Sequence, residues 1–156
     1  MTIRNPNQNY NLREARPEDA ELLFEWANDE LVREMAINTK KIIWLEHKAW
    51  FKQKLASAAT KIFILEQNSV PVGQIRYDFI NGEWLIDYSI SKSERGKGLG
   101  QKIIELSLPD FRNCKLKALV KKNNIASNEV FSKLKFVLQD TEKINQVEFN
   151  CYTLTG

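Results

Sequence analysis

Histidine occurs once in the 156 residues, and cysteine twice, at Cys114 and Cys151. The two cysteines form no CxxC pair and have no histidine beside them, so metal-ligand spacing is missing and no metal is expected. A reducing, cytoplasmic setting is the default expectation. Long apolar runs are also lacking. The longest are four residues, Ile42–Leu45 and Ile62–Leu65, against the ~18 that a membrane span needs. The stretch up to Arg13 is polar and rich in asparagine, so no secretory leader is expected there. No repeat, low-complexity stretch or linker-like change in composition divides the chain.

Aromatic residues are plentiful: four Trp, eight Phe and four Tyr, within a chain that is 43% hydrophobic and 28% charged. That composition buries a core and excludes disorder. Two domains would leave each too small for a good core, so one domain spanning residues 1–156 is expected, with 1–10 as a flexible N-terminus. Net charge is only +3, but it is unevenly spread. Residues 10–31 carry seven acids and two bases, whereas residues 91–122 carry nine bases and three acids. A basic half suits a polyanionic partner such as a nucleotide cofactor, or else forms a solvated face.

Asn11–Ala15 reads as a short strand. Pro17 with Glu18 and Asp19 marks a helix start. Ala20, Leu23, Phe24 and Ala27 follow with amphipathic helical spacing. Leu31–Met35 reads as a short further turn, and Leu45–Leu55 as a second helix. Lys61–Gln67, Val72–Phe79 and Glu83–Ile90 read as strands divided by Asn68-Ser69 and Asn81-Gly82, the latter a strong hairpin signal. A helix from about Gly98 to Leu108 stops at Pro109. Lys115–Val120 reads as a strand, a helix follows Asn124, and Phe136–Asp140 with Gln146–Thr153 closes as a hairpin. This order predicts an α+β fold built on a mixed, mostly antiparallel sheet flanked by helices.

Between a strand and a helix lies Arg95-Gly96-Lys97-Gly98-Leu99-Gly100. Glycines let the backbone turn tightly and turn its N–H groups outward. The helix start adds unpaired donors and partial positive charge, and Arg95, Lys97 and Lys102 add full charges. The result is a candidate pyrophosphate cradle. It is not a P-loop, because no Gly-Lys-Ser/Thr follows, and the spacing differs from a dinucleotide fingerprint.

This stretch resembles the acetyl-CoA motif of the GNAT acetyltransferase family, Arg/Gln-x-x-Gly-x-Gly/Ala after the fourth strand, filled here by Arg95, Gly98 and Gly100. A second family element is a strand, an Asn and a helix ending near Gly-Phe. Here it is Ala118–Val120, Asn124, Ser127, Phe131 and Lys135-Phe136, with Lys135 in place of the glycine. The resemblance covers roughly residues 11–153. It implies a GNAT fold and acetyl-CoA as donor. It places the Arg95, Gly96, Lys97, Gly98, Leu99 and Gly100 amides on the pyrophosphate. It also puts Ile90 on the pantetheine arm, with Asn124 and Ser127 nearby.

Acetyl transfer by direct attack needs a deprotonated amine, an oxyanion donor and a proton for the leaving thiolate. The tyrosine that the family places on the helix after Asn124 is replaced by Phe131. Tyr88 is the nearest substitute, with Tyr152 as another; Glu83 and Asp87 are candidate bases. Each of the two carboxylates equally fits a solvated strand position.

The Trp26-x-Asn28-Asp29 … Glu46-His47-x-x-Trp50-Phe51 pattern, with Gly73–Asp78, resembles a narrower branch: N-acetyltransferases of pseudaminic- and legionaminic-acid biosynthesis. It implies the 4-amino group of a UDP-linked 4-amino-4,6-dideoxy sugar as acceptor. His47, Gln74 and Arg76 are then the expected substrate contacts, His47 and Arg76 on phosphate; on the residues alone, a lone histidine among aromatics is more often a core residue, and Gln74 and Arg76 equally fit an ordinary polar sheet face. The partner expected is a small-molecule amine, with no nucleic acid and no membrane, and the protein is a monomer or homodimer. A protein N-terminal or ribosomal-protein acetyltransferase, an aminoglycoside acetyltransferase and a non-catalytic acyl-CoA-binding module are the alternatives.

Overall fold

The computed structural model describes residues 9–155. The expected flexible terminus therefore lies almost wholly outside the described residues.

In chain order the elements are β1 (Tyr10–Glu14), α1 (Ala20–Ala27), α2 (Glu30–Met35), α3 (Trp44–Ala56), β2 (Thr60–Gln67), β3 (Val70–Ile80), β4 (Glu83–Ile90), α4 (Leu99–Ser107), β5 (Lys115–Lys121), α5 (Ile125–Lys133), β6 (Val137–Ile144) and β7 (Val147–Thr155). They build a seven-stranded sheet of order β1-β2-β3-β4-β5-β7-β6. All neighbours are antiparallel except β4 and β5. The α+β class and mostly antiparallel sheet expected from the sequence are present.

Three two-residue turns set the hairpin registers. Asn68-Ser69, Asn81-Gly82 and Asn145-Gln146 all have positive φ at both positions, the conformation that matches the twist of the flanking strands. β6 runs on to Ile144, past the expected end at Asp140. Its residues are exposed up to Lys143, so no buried face marks the strand by alternation. The segment 31–35, expected as a turn, is a helix because Asp29 caps it: Oδ2 accepts from Leu31 N at 3.1 Å and Val32 N at 3.2 Å.

Strand alternation divides the core between the two sheet faces. On one face Phe63, Leu65, Ile75, Tyr77, Ile86, Leu116, Ala118 and Tyr152 pack with Leu99, Ile103 and Ile104 of α4 and Phe131 of α5. On the other, Ile62 and Ile64 pack with Leu23 of α1 and Phe51 of α3. We call these the α4/α5 face and the α1/α3 face.

β4 and β5 are in register only at Trp84↔Leu116 and Leu85↔Lys117. Beyond these pairs the strands diverge toward their C-terminal ends. The Ser91 N–H bonds the Val72 carbonyl on β3 at 2.8 Å. By antiparallel alternation, the backbone groups of Ile90 and Tyr88 then point the other way, into the gap between β4 and β5. That gap is the feature the fold offers to a ligand.

Candidate active site

The loop of Gly96–Gly100 joins the gap at the end of β4. Gly98 is the residue before α4, with φ of +78°, and Gly96 has φ of +80°. A Cβ at either position meets no atom within 4 Å, so the loop leaves room for a close-approaching group. The first-turn N–H groups of α4 have no intrahelical acceptors. Pyrophosphate therefore fits here on geometry, backbone donors and helix polarity together. Leu99, at 3% exposure, gives its side chain to the core and only its amide to the loop. Lys97 is held by Glu94 at 2.9 Å.

Arg95 departs from expectation. Its guanidinium turns away from the loop amides: Nη2 meets Asp29 Oδ2 at 2.7 Å and Nε donates to the Ile90 carbonyl at 3.1 Å. Burial pushes the Asp29 carboxyl up, but Arg95 and the Val32 N–H outweigh it and hold it below the usual range.

Tyr88, Ser127, Asn124 and Gly100 come together on the α4/α5 face. Tyr88 Oη lies 2.7 Å from Ser127 Oγ. Asn124 caps α5 by accepting from the Ser127 N–H at 3.3 Å. A Cβ on Gly100 would stand 3.0 Å from Tyr88 Cε2, so glycine lets the phenol ring lie against the start of α4. Burial pushes the Tyr88 phenol up, which keeps it protonated at neutral pH. Phe131 is 2% exposed and packs edge-on to Tyr88 at 6.0 Å between centroids.

Asp87 and Ser89 project from β4 on the α1/α3 face, beside Gln74 and Arg76 of β3. Gln74 Nε2 lies 3.1 Å from Ser89 Oγ and 3.4 Å from Asp87 Oδ2. The Asp87 side chain is 57% exposed, with Arg76 Nη1 at 3.7 Å. Arg76 is otherwise committed: Nε pairs with Asp78 at 2.8 Å, and its guanidinium lies 5.0 Å from the Trp50 ring centroid. Asp78 is in turn bonded by Lys54 and Thr60. The expected role of Arg76 as a free phosphate fork is thus corrected to an internal ion pair.

Two further expectations need correction. His47 does not face a cleft. It is 4% exposed, ringed by Phe24, Trp44, Trp50 and Phe51, with Nε2 at 3.0 Å from the Ala20 carbonyl. A carbonyl only accepts, so Nε2 carries the proton, and burial pushes the imidazole pKa down. Glu83 opens β4, paired with Ile80, at the strand end where β4 still meets β5. At ~3.3 Å per residue it lies on the order of 20 Å from Ile90. It is remote from the gap and cannot serve as base there.

Sequence reasoning missed two residues. Asp29 enters the sequence reading only within the Trp26-x-Asn28-Asp29 pattern; its cap role is legible there, its Arg95 partner is not. Asn128 gives no sequence signal, yet its Oδ1 accepts from Tyr152 Oη at 2.6 Å and Asn150 Nδ2 at 2.8 Å. It ties β7 to α5 and engages Tyr152, the other candidate acid. Among the described residues no group of three His, Cys, Asp or Glu side chains is placed to hold a metal. No described helix is long and apolar enough to cross a membrane.

Comparison with known proteins places this architecture. A spermidine N-acetyltransferase from Vibrio cholerae, solved with CoA and spermine, superposes with a TM-score of 0.86 at 16% identity, covering 96% of each chain. A ribosomal L7/L12 α-N-protein acetyltransferase in complex with coenzyme A gives 0.82 at 15% identity, over 97% of this chain and 96% of that one. An aminoglycoside acetyltransferase, AAC(6′)-Ib with ribostamycin and coenzyme A, gives 0.78 at 20%, over 94% and 93%. No curated protein sequence matches the chain. The model of the acetyltransferase (GNAT) domain matches residues 9–137, so the chain belongs to the GNAT acetyltransferase family.

Proposed function

We propose that the protein moves the acetyl group of acetyl-CoA directly onto a primary amine held on the α1/α3 face of the β4–β5 gap. The observation that carries this reading is the alternation of β4 at the gap. Tyr88 and Asp87 are sequence neighbours, so their side chains leave the strand on opposite faces. Tyr88 stands with the helices that would hold the donor, and Asp87 stands on the acceptor side.

Each group then has one task. Asp87 draws the acceptor ammonium and, directly or through water, takes its proton. The freed amine attacks the thioester carbon. The N–H groups of Ile90 and Tyr88, turned into the gap, receive the oxyanion. As the carbon–sulfur bond breaks, Tyr88 Oη gives its proton to the thiolate, and Ser127 Oγ orients that hydroxyl. The second proton, which the nitrogen sheds as the amide forms, passes through water and restores the phenol. No acyl-enzyme is needed: Cys151 is 5% exposed with its thiol pushed up by burial, and Cys114 Sγ is engaged with the Arg112 carbonyl.

The nucleotide-linked amino sugar remains the specific acceptor we propose, on a changed footing. His47 and Arg76 are occupied within the protein. The hollow lined by Glu25, Trp26, Asp29, Ile90, Ser91, Lys92, Ser93 and Arg95 offers an indole, two hydroxyls and the Lys92 ammonium instead, beside the Glu25 carboxylate. The test is thiol release from acetyl-CoA with a UDP-linked 4-amino sugar, a peptide with a free N-terminus, spermidine and kanamycin. Stoichiometric release with one amine supports acetyl transfer, and preference for the UDP sugar over the same sugar without its nucleotide supports the acceptor. Asp87→Asn should then lower kcat/KM by about a hundredfold. Acetyl-CoA binding with no release on any amine overturns the catalytic reading in favour of a binding module.

A further inference from the structure

α2 is six residues long and buries none of them. A helix so short does not hold itself, and with Val32 and Met35 only half-buried it leans on polar anchors. Its anchors lie at both margins of the β4–β5 gap. At its start, Asp29 Oδ2 caps the helix and also meets Arg95 Nη2 at 2.7 Å. Arg95 is itself fixed to the Ile90 carbonyl at the end of β4. Near its other end, the Glu34 carbonyl accepts from Lys121 Nζ, at the end of β5, at 2.6 Å. Arg33 closes the following segment by bonding the Ala27, Asn38 and Lys40 carbonyls. Asn28 pins the segment's far end, exchanging hydrogen bonds with Ile42 at 2.7 and 2.9 Å. The Asp29 and Arg95 side chains are 17% and 27% exposed, so this ion pair is shielded better than a surface pair.

We infer that Asp29 is a positioning residue for the acceptor: through Arg95 it fixes α2 across the gap, so that the acceptor wall is built on the pyrophosphate loop. Arg95 in this account belongs to the wall and does not grip phosphate with its side chain. The inference rests on the acetyl-transfer reading for its kinetic consequence, but not for its structural one.

Asparagine caps a helix as well as aspartate does. Asp29→Asn therefore keeps the cap and removes the charge that Arg95 holds. Hydrogen exchange on the free protein reads the link without any substrate. The amides of 31–36 should exchange roughly fivefold faster in Asp29→Asn. Arg95→Gln should give the same acceleration, and the double variant no more than either alone, because both remove one interaction. The melting temperature of Asp29→Asn should stay within about 2 °C of the parent, since the core is untouched. With the best amine of the panel above, Asp29→Asn should raise the amine KM about fivefold while kcat stays within about twofold.

Unchanged exchange in Asp29→Asn overturns the link whatever the kinetics. So do additive effects in the double variant. Faster exchange with an unchanged amine KM overturns the positioning role. A tenfold loss of acetyl-CoA affinity in Arg95→Gln, seen by calorimetry, overturns the assignment of that side chain to the wall. Failure of every amine in the panel would count against the transfer reading alone, because the exchange experiment stands without it.

Discussion

Asp19 shows how a single carboxylate organises the entrance to α1. It is 7% exposed, accepts from Arg13 Nη1 and Nη2 at 2.8 and 2.9 Å, and accepts from the Arg16 N–H at 2.7 Å. The Arg13 bonds outweigh burial and hold its carboxyl below the usual range. A depressed carboxylate stabilises the fold above its unfolded pKa of ~3.9, and that stability is lost as pH falls through the folded value. Asp19→Asn should cost about 1.5–3 kcal/mol at pH 7. In urea titrations the gap between the two proteins should close as the pH falls below ~4. His47 works with the opposite proton. Burial lowers its pKa, so below ~6.5 the unfolded chain gains a proton that the folded chain refuses, and stability falls with pH. His47→Ala should lower stability by about 2–4 kcal/mol at pH 8 and flatten the slope of stability between pH ~6.5 and ~5. A full-strength fold that has lost only sugar-nucleotide turnover would return His47 to the cleft.

Local signals carried most of the elements. Asn68-Ser69 and Asn81-Gly82 marked two of the hairpins, Pro109 marked the end of α4, and Asn124 marked the start of α5, because each acts within a few residues. The Gly96–Gly100 loop was legible for the same reason: glycine spacing and a helix start are contiguous in the chain. The acceptor side was not. The Arg76–Asp78 pair hides in a strand where alternating polar residues look equally like a ligand face. The Asp29–Arg95 pair joins residues 66 apart. His47 among aromatic residues fits a stacked ligand and a packed core alike, and only burial separates them. One local departure has a thermodynamic consequence. Lys135 stands after α5 with φ of +67° where the family motif has glycine. A side chain there costs ~1–2 kcal/mol, of which greater freedom of glycine in the unfolded chain returns part. Lys135→Gly should therefore stabilise by about 0.5 kcal/mol, raising the melting temperature by ~1–2 °C. A fall in melting temperature would mean that the lysine stem supplies packing worth more than the strain.

Across the whole molecule, topology makes the site. The β7 strand inserts beside β5, leaving β6 at the edge, and among the described residues the only parallel pair is β4 with β5. The two strands share only two register pairs before they part, which turns backbone donors of β4 toward the gap instead of a neighbouring strand. The same divergence puts the loop and α4 on one side, and α2 with the acidic end of α1 on the other. In the reading proposed above, donor and acceptor enter from opposite faces, on which Tyr88 and Asp87 stand. The loop is the one part of this arrangement that a substitution can close without touching the core, because a Cβ at Gly98 meets nothing in the protein itself. Calorimetric titration of acetyl-CoA into the parent and Gly98→Val tests it. A β-branched residue at φ of +78° is strained and sits where pyrophosphate approaches. The variant should remain folded and lose acetyl-CoA affinity by about tenfold or more, ~1.4 kcal/mol; equal affinity in a folded Gly98→Val protein would contradict the assignment of this loop to the cofactor.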